Sequence, residues 1–431
     1  MSDEDGGRIL INLGRVATRI QDGRAMSALL SVTVLGEFGA LLVTFGIALH
    51  ALNATGQASI FSLVLISGAS ALIVLSPVAG PLVDRFNRGR LFWLINGIRL
   101  FVSVALYLYV QTALNPMAAV YITTFILACS EAFMNPLIAS LIPSMLPKDR
   151  VVRMNAILLG CRQTAAIAAP AAGGLLYSLG NIRAVLICAS FILFVALILQ
   201  LLLLRVPEGA SRNRQMPTLS GILKDFKASV SYLLVRIPHV SLAVNGFLSH
   251  FLIFPFMLLA VPFMYLKFFS GTEVELGTVQ SVYAIGGIAA TPLAVLFEKV
   301  SRSKNLLLGI VGLLLPAGLY LLALNSNVSA WLSNNAGARM AGFAVAGLLV
   351  YFFLSYYVTF FLSFFQTDVE ANMVGRLQSL LVVNHGFGRI FGFGLYGLAI
   401  DLDFRLAFAM FFAGALLKIA AHIPFLRTYR E

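Results

Sequence analysis

The chain has 431 residues, 59% of them hydrophobic and only 11% charged, with a formal net charge of +12. A soluble domain carries about 25% charged residues, so a water-soluble enzyme or binding module is excluded. Whether the basic excess marks a nucleic-acid surface depends on where the cations fall.

From the N-terminus, a polar segment holding Arg8, Arg15, Arg19 and Arg24 precedes the first apolar block at 27–50. Similar blocks follow at 58–80, 91–110, 118–140, 155–178 and 183–205. After an interruption they resume at 240–266, 276–297, 305–324, 340–365, 378–399 and 404–426. A helix needs about 20 apolar residues to cross a hydrocarbon core, whereas barrel strands are alternating segments of about ten. The blocks here are continuous and too long for barrel strands. The first is also too long, and too closely followed by others, for a cleaved leader. The expectation is an all-α membrane protein with twelve transmembrane helices.

The interruption runs from Arg205 to about Arg236. Its second part, 219–235, places apolar residues at helical spacing beside Lys224, Asp225 and Lys227, the pattern of an amphipathic surface helix. The predicted organisation is therefore an amphipathic N-terminus at 1–26, a six-helix bundle at 27–205, a linker at 206–238, a second six-helix bundle at 239–426 and a tail at 427–431.

With the N-terminus on the inner side, the inner segments hold the Lys and Arg of 8–24, 85–90, 148–153, 205–236, 299–304, 376 and 427–430. The outer loops hold only Arg183, Lys267, Arg339 and Arg405. Such a bias is the positive-inside rule and predicts both termini in the cytoplasm. The net charge is topology, and no nucleic-acid partner is expected. Arg99, Arg162, Arg389 and Lys418 remain within spans. Cys129, Cys161 and Cys188 also fall in spans with no CxxC pairing, so they read as packing residues, with no metal or disulfide role. The sequence has no Walker loop, HExxH or nucleophile elbow, so ATP-driven work by this chain is not expected. No cofactor is expected either.

The two halves share a short repeat. Leu82-Val83-Asp84-Arg85-Phe86-Asn87-Arg88-Gly89-Arg90 follows the second block, and Leu296-Phe297-Glu298-Lys299-Val300-Ser301-Arg302-Ser303-Lys304 follows the eighth. Without gaps, Asp84 aligns with Glu298, Arg85 with Lys299, Arg88 with Arg302 and Arg90 with Lys304. Internal duplication is typical of secondary transporters, whose substrate sites lie between the repeats near the bilayer midplane.

Gly80-Pro81-Leu82-Val83-Asp84-Arg85-Phe86-Asn87-Arg88-Gly89-Arg90 resembles the loop signature G-x-L-x-D-R-x-x-R-x-R/K of the major facilitator superfamily, at its expected place between helices two and three. The resemblance implies two pseudo-symmetric six-helix bundles in a bacterial inner membrane. It also implies a cytoplasmic charge gate at Asp84, Arg85, Arg88 and Arg90, with Glu298, Lys299 and Arg302 as the counterpart. On the fifth block, Pro170-Ala171-Ala172-Gly173-Gly174 resembles the antiporter motif G-P-x-x-G-G of exporters, with Ala156, Ala165 and Ala169 where that motif has glycines. Pro170, Gly173 and Gly174 are accordingly the expected helix-five hinge. Pro136, the run Leu141-Ile142-Pro143-Ser144-Met145-Leu146-Pro147-Lys148-Asp149-Arg150, Arg153-Met154-Asn155-Ala156 and Gly375-Arg376-Leu377-Gln378-Ser379-Leu380 are similar to the macrolide-efflux and siderophore-export branch. Lysophospholipid transporters share parts of the pattern, including a stretch like Gly89-Arg90-Leu91 and Asn96-Gly97-Ile98-Arg99.

Ionisable residues within spans are costly and usually face a cavity or a partner. Glu37 lies near the middle of the first span and Glu131 within the fourth. The resemblance puts both on cavity-lining helices, where a carboxyl could load and release a proton. Arg162 on the fifth span is a candidate partner for Glu131. Arg162 and Arg389, one turn after His385, could bind an anionic substrate group or bond helix to helix. Arg99 and Lys418, on peripheral helices, are expected to snorkel toward the interface. His250 is a further coupling candidate, and Tyr351, Tyr356 and Tyr357 could give phenol donors to an apolar substrate wall.

The leading expectation is a monomeric, proton-coupled antiporter exporting a small organic molecule, with a siderophore-like anionic chelator ahead of a cationic macrolide-like drug. A lysophospholipid translocator is the alternative from a different class.

Overall fold

The computed structural model describes residues 3–83, 85–112, 117–146, 148–204, 219–297 and 299–429. Among them there is no strand, as a bilayer demands of a chain whose backbone groups must be satisfied within each crossing. The helices are α1 (Asp3–Thr55), α2 (Ala58–Val83), α3 (Arg88–Thr112), α4 (Met117–Met145), α5 (Lys148–Leu203) and α6 (Leu219–Leu234). They continue with α7 (Ile237–Lys267), α8 (Glu273–Leu296), α9 (Arg302–Leu322), α10 (Ser326–Asn334), α11 (Ala336–Thr367), α12 (Ala371–Leu402) and α13 (Arg405–Thr428).

Ten described helices are long and apolar enough to cross a membrane. One of them covers 51 residues, Arg153–Leu203, and its backbone leaves helical geometry at Gly180 and at Asn181 (φ 55°, ψ −155°). Asparagine tolerates positive φ better than most residues, so α5 is two antiparallel arms joined by a very tight turn. Helix α12 spans 32 residues. Arg376, Arg389 and Asp401 interrupt its apolar run, yet it has the length of a further crossing. Counted this way, the segments number twelve among the described residues. The short linker helix appears as α6, one residue shorter than the sequence pattern indicates.

In the first lobe α1 packs on α5, α2 on α4, and α3 on both α4 and α5; in the second, α11 packs on α8 and α13 on α7. The lobes meet along two seams, α2 with α12 and α5 with α8. Small residues make both possible by letting backbones approach. A Cβ on Gly174 would overlap the Glu273 carbonyl, and one on Gly277 would overlap the Pro170 carbonyl. On the other seam, a Cβ on Gly397 would overlap Ser62 and one on Gly386 would overlap Ile73.

Polar bonds join the two lobes beside these seams, those of Asn53 and Asp401 at the end remote from the chain termini. Asn53 Nδ2 donates to Glu273 Oε1 at 2.9 Å, and Ser281 Oγ to the Ile167 carbonyl at 2.5 Å. The Asp401 carboxylate accepts from the backbone N–H groups of Ala58 (2.7 Å) and Ser59 (3.0 Å). It thus caps the start of α2 from the opposite lobe, where unsatisfied amides and the helix dipole favour an anion.

Helix α7 is widened into π-turns at Ser249–Ile253 and Phe256–Ala260, on either side of Pro255. Proline lacks the N–H that would continue the ladder, and wide turns accommodate that loss. The Tyr396 hydroxyl donates to the Leu252 carbonyl at 2.7 Å and Lys418 Nζ to the Asn245 carbonyl at 3.0 Å.

Candidate functional site

Between the lobes lies a cavity of about 580 Å³ whose wall includes Glu37, Arg99, Glu131, Asn135, Arg162, Gln163 and Arg389. It shares Leu41, Thr44, Leu65, Ala166 and Leu258 with a second cavity of about 380 Å³ lined by Phe45, Phe61, Pro170, Met257, Gln280, Tyr283 and Tyr351. On α1, Glu37 precedes Asn53 by 16 residues, about 24 Å of helix. The charged chamber therefore lies toward the termini and the apolar one toward the fastened end. Together they offer an amphipathic molecule an apolar recess and a charged basin.

The charged chamber is organised by two ion pairs in the first lobe. Arg162 on α5 donates through Nε to Glu37 Oε2 at 2.8 Å, and its Nη2 stands in ion-pair contact with Glu37 Oε1. Its Nη1 reaches Asn135 Oδ1 on α4 at 3.2 Å. The side chains of Arg162 and Glu37 keep 27% and 11% of their surface exposed, so water reaches the pair. In the second pair, Arg99 on α3 donates to Glu131 Oε2 at 2.7 Å and to Ser130 Oγ at 2.9 Å.

This corrects two sequence readings. Glu131 is paired with Arg99, not Arg162. Arg99 does not snorkel, being 0% exposed in the core of its lobe. It sits 11 residues from the start of α3, about 17 Å along the helix, deeper than a side chain can climb back. That depth was the signal available in the sequence.

Lys418 is likewise fully buried. It bonds Asn245 O (3.0 Å) and Ser249 Oγ (2.6 Å) on α7 and lies 4.5 Å from the centre of the Tyr357 ring. The expectation of an interfacial lysine fails because α7 and α11 close over it.

In the second lobe the structure brings His250, His385 and Arg389 together. The two imidazoles stack with ring centres 4.1 Å apart and planes at 8°, and His250 Nδ1 lies 3.0 Å from the Gly246 carbonyl. Arg389 lies over the Phe254 ring at 5.2 Å and lines the charged chamber. Tyr351 stacks on Tyr283 at 5.7 Å in the apolar chamber. Tyr356 and Tyr357 line neither chamber. Both are 1% exposed, and the Tyr356 hydroxyl donates to Asn305 Oδ1 at 2.7 Å, so they pack α11 against its neighbours.

Of the expected cytoplasmic gate, Asp84 and Glu298 lie outside the described residues. Arg88 donates to the Ser140 carbonyl at 3.3 Å, and the Arg90 amide is capped by Asn87 Oδ1 at 3.0 Å. Arg85 is engaged as well, and Lys299 is exposed. In the second lobe Arg302 bonds Asp368 and Thr367, and Arg236 pairs with Glu370 at 3.4 Å. Asp368 also accepts from the Tyr429 hydroxyl at 3.0 Å. Neither acid was singled out from sequence, because both follow α11 in a short turn outside the repeat. Pro170, Gly173 and Gly174 lie in continuous helix, where Gly173 faces Phe45 of α1 and Gly174 faces α8. Among the described residues no cluster of three metal-ligating side chains occurs.

Comparisons with known proteins agree with this architecture. Macrolide efflux protein A of Streptococcus pyogenes is 22% identical over 329 residues, covering 76% of this chain and 77% of its own. A protein of the same description from Enterococcus faecalis is 22% identical over 328 residues, covering 75% and 96%. Among solved structures, a bacterial homologue of the iron transporter ferroportin in an inward-facing state superposes with a TM-score of 0.72 at 15% identity, covering 93% of this chain and 98% of that one. A bacterial homologue of the human lysosomal transporter Spinster, inward-facing and unoccupied, gives 0.68 at 16% identity, covering 95% and 99%. These likenesses show the fold. The sequence profile of the Major Facilitator Superfamily matches residues 25–393, and with its paired helical lobes and interlobe chamber the chain belongs to that superfamily.

Proposed function

We propose that the protein is a secondary active exporter, a proton-coupled antiporter that expels an amphipathic organic molecule by alternating access from the side facing its termini. The observation that carries this reading is the Glu37–Arg162 pair. It is a water-reached carboxylate bound to the helix that holds one interlobe seam. Five residues beyond Arg162, the Ile167 carbonyl accepts from Ser281 of α8, and one turn further Pro170 and Gly174 press on the same helix. A proton on Glu37 removes the anion that fastens α1 to α5, so α5 can shift and the seam with α8 loosens. Protonation thereby biases which end is open, the differential interaction that any population shift requires. Glu131 holds a second carboxylate on the chamber wall, with 45% of its side chain exposed.

The two-part cavity supports a cargo with an apolar body and a polar or charged head. The similarity to macrolide efflux protein A supports export as the direction. A siderophore-like chelator and a drug-like amphiphile both fit that description, and the charge of the head distinguishes them.

The test is transport in proteoliposomes with an amphipathic dye as reporter. A pH gradient, acidic on the receiving side, should speed accumulation several-fold, and Glu37→Gln should abolish the acceleration. Transport indifferent to the gradient would refute proton coupling and favour a gradient-independent carrier of lysophospholipid type.

A further inference from the structure

The two lobes differ in how their buried cations are neutralised. In the first, Arg162 and Arg99 each hold a glutamate. In the second, α7, α9, α11 and α13 contain no Asp or Glu at all. The acids of α8 and α12 are engaged elsewhere: Glu273 with Asn53, Glu275 with Arg339, and Asp401 with the start of α2. Arg389 nevertheless reaches the charged chamber, and its buried Nε has no hydrogen-bond partner among the described residues. His385, one turn earlier, turns its Nε2 against Gly246 of α7 and lines neither chamber. A guanidinium that reaches a cavity wall with a buried N–H lacking an acceptor, and with only the Phe254 ring beside it, points to an anion that arrives from outside the chain.

The backbone around Arg389 is fixed for the purpose. A Cβ on Gly388 would crowd the Phe247 carbonyl and one on Gly392 would overlap that of Phe251. The two glycines therefore let α12 lie directly on α7. This close approach, beside the π-turns of α7, stacks His385 on His250.

We infer that Arg389 is the anion-binding subsite of the transport cavity, taking a carboxylate of the cargo through its guanidinium fork. This rests on the exporter reading and narrows its cargo to organic acids with an apolar body, which lies in the neighbouring chamber beside Tyr351 and Met257. Because Arg389 and Glu37 belong to different lobes, anion and proton occupy separate groups.

The experiment is an equilibrium titration of the full-length protein in lipid nanodiscs, with empty nanodiscs as the blank. The probes are pyrenebutyrate, an amphipathic carboxylate, and its uncharged amide. The wild type should bind the acid about tenfold or more tightly than the amide, the range expected of a charge-assisted bidentate contact. Arg389→Gln should bring that ratio to about one, with an unshifted thermal melt showing the variant to be folded. Arg389→Lys should keep part of the preference, since an ammonium supplies the charge without the fork. The inference is overturned if the wild type shows no preference for the acid, or if the preference survives Arg389→Gln. Neither result depends on a gradient, so failure here leaves the transport test of the exporter reading intact.

Discussion

Replacing Glu37 by glutamine isolates the proposed link between protonation and the closed end. Removing one partner of a fully buried ion pair costs about 3–5 kcal/mol, whereas exposed pairs contribute about 0–1 kcal/mol. The Glu37–Arg162 pair lies between these limits, with side chains 11% and 27% exposed. Glutamine also keeps one acceptor for Arg162 Nε, and Asn135 still holds Nη1 at 3.2 Å. A loss of about 1.5 kcal/mol is therefore reasonable, or roughly tenfold in an equilibrium constant. If the pair stabilises the arrangement of α5 that meets α8, that tenfold appears in the ratio of sealed to open molecules at the end remote from the termini. The assay is pulsed electron paramagnetic resonance with spin labels at Gln57 and Asp403, in a background where Cys129, Cys161 and Cys188 are replaced. Glu37→Gln should raise the population with the labels spread apart by about one order of magnitude. Adding Arg162→Gln should shift it little further, since the pair is already broken. An unchanged distance distribution in a folded Glu37→Gln protein, or a shift toward the sealed form, would refute the reasoning.

Other expectations follow from the seams and the buried charges. Gly277→Val should prevent α8 from seating on α5, because its Cβ already overlaps the Pro170 carbonyl; label accessibility at the remote end should rise and transport should fall by at least about tenfold. Asp401→Ala should remove the acceptor for the Ala58 and Ser59 amides and weaken the other seam by about 1 kcal/mol, as loss of a helix cap does, with the distance between Gln57 and Asp403 as the readout. Arg99→Met should lower thermal stability in detergent by only about 1 kcal/mol, because the Glu131 it leaves behind is 45% exposed and rehydrates, and should spare the response to a pH gradient, which is assigned to Glu37. Tyr356→Phe should cost about 1 kcal/mol of stability, the usual net value of a hydrogen bond, and leave probe affinity unchanged because the hydroxyl faces Asn305 and not a chamber.

The crossings were legible in the sequence because hydrophobic length is a local property and the bilayer reads it locally. The signature around Gly80–Arg90 and the repeat after the eighth block likewise carried family and lobe symmetry in short contiguous strings. Intramembrane charge also singled out Glu37, Glu131, Arg162 and Arg389, and all four line one chamber. Which residues pair was not legible. Glu131 could have met Arg162 on a neighbouring helix, and the choice of Arg99 depends on the rotation of α3 and α4 about their own axes. Lys418 and Tyr357 show the same limit, since only the closure of α7 and α11 makes the first a buried donor and the second its neighbour.

By itself, then, the sequence determined that the chain is a helical membrane protein with two related halves and a small set of costly buried charges, because the penalty for unsatisfied polar groups in lipid acts on each segment separately. The tertiary structure alone decided that Arg162 and Arg99 of the first lobe meet its own glutamates while Arg389 of the second reaches the chamber without a carboxylate from its own lobe. It also decided that Asp401 and Glu273, ordinary loop acids in the sequence, clasp the opposite lobe. Contacts across a bundle depend on helix rotation and on glycine-by-glycine closeness of approach, and those join residues hundreds of positions apart that no local pattern brings together.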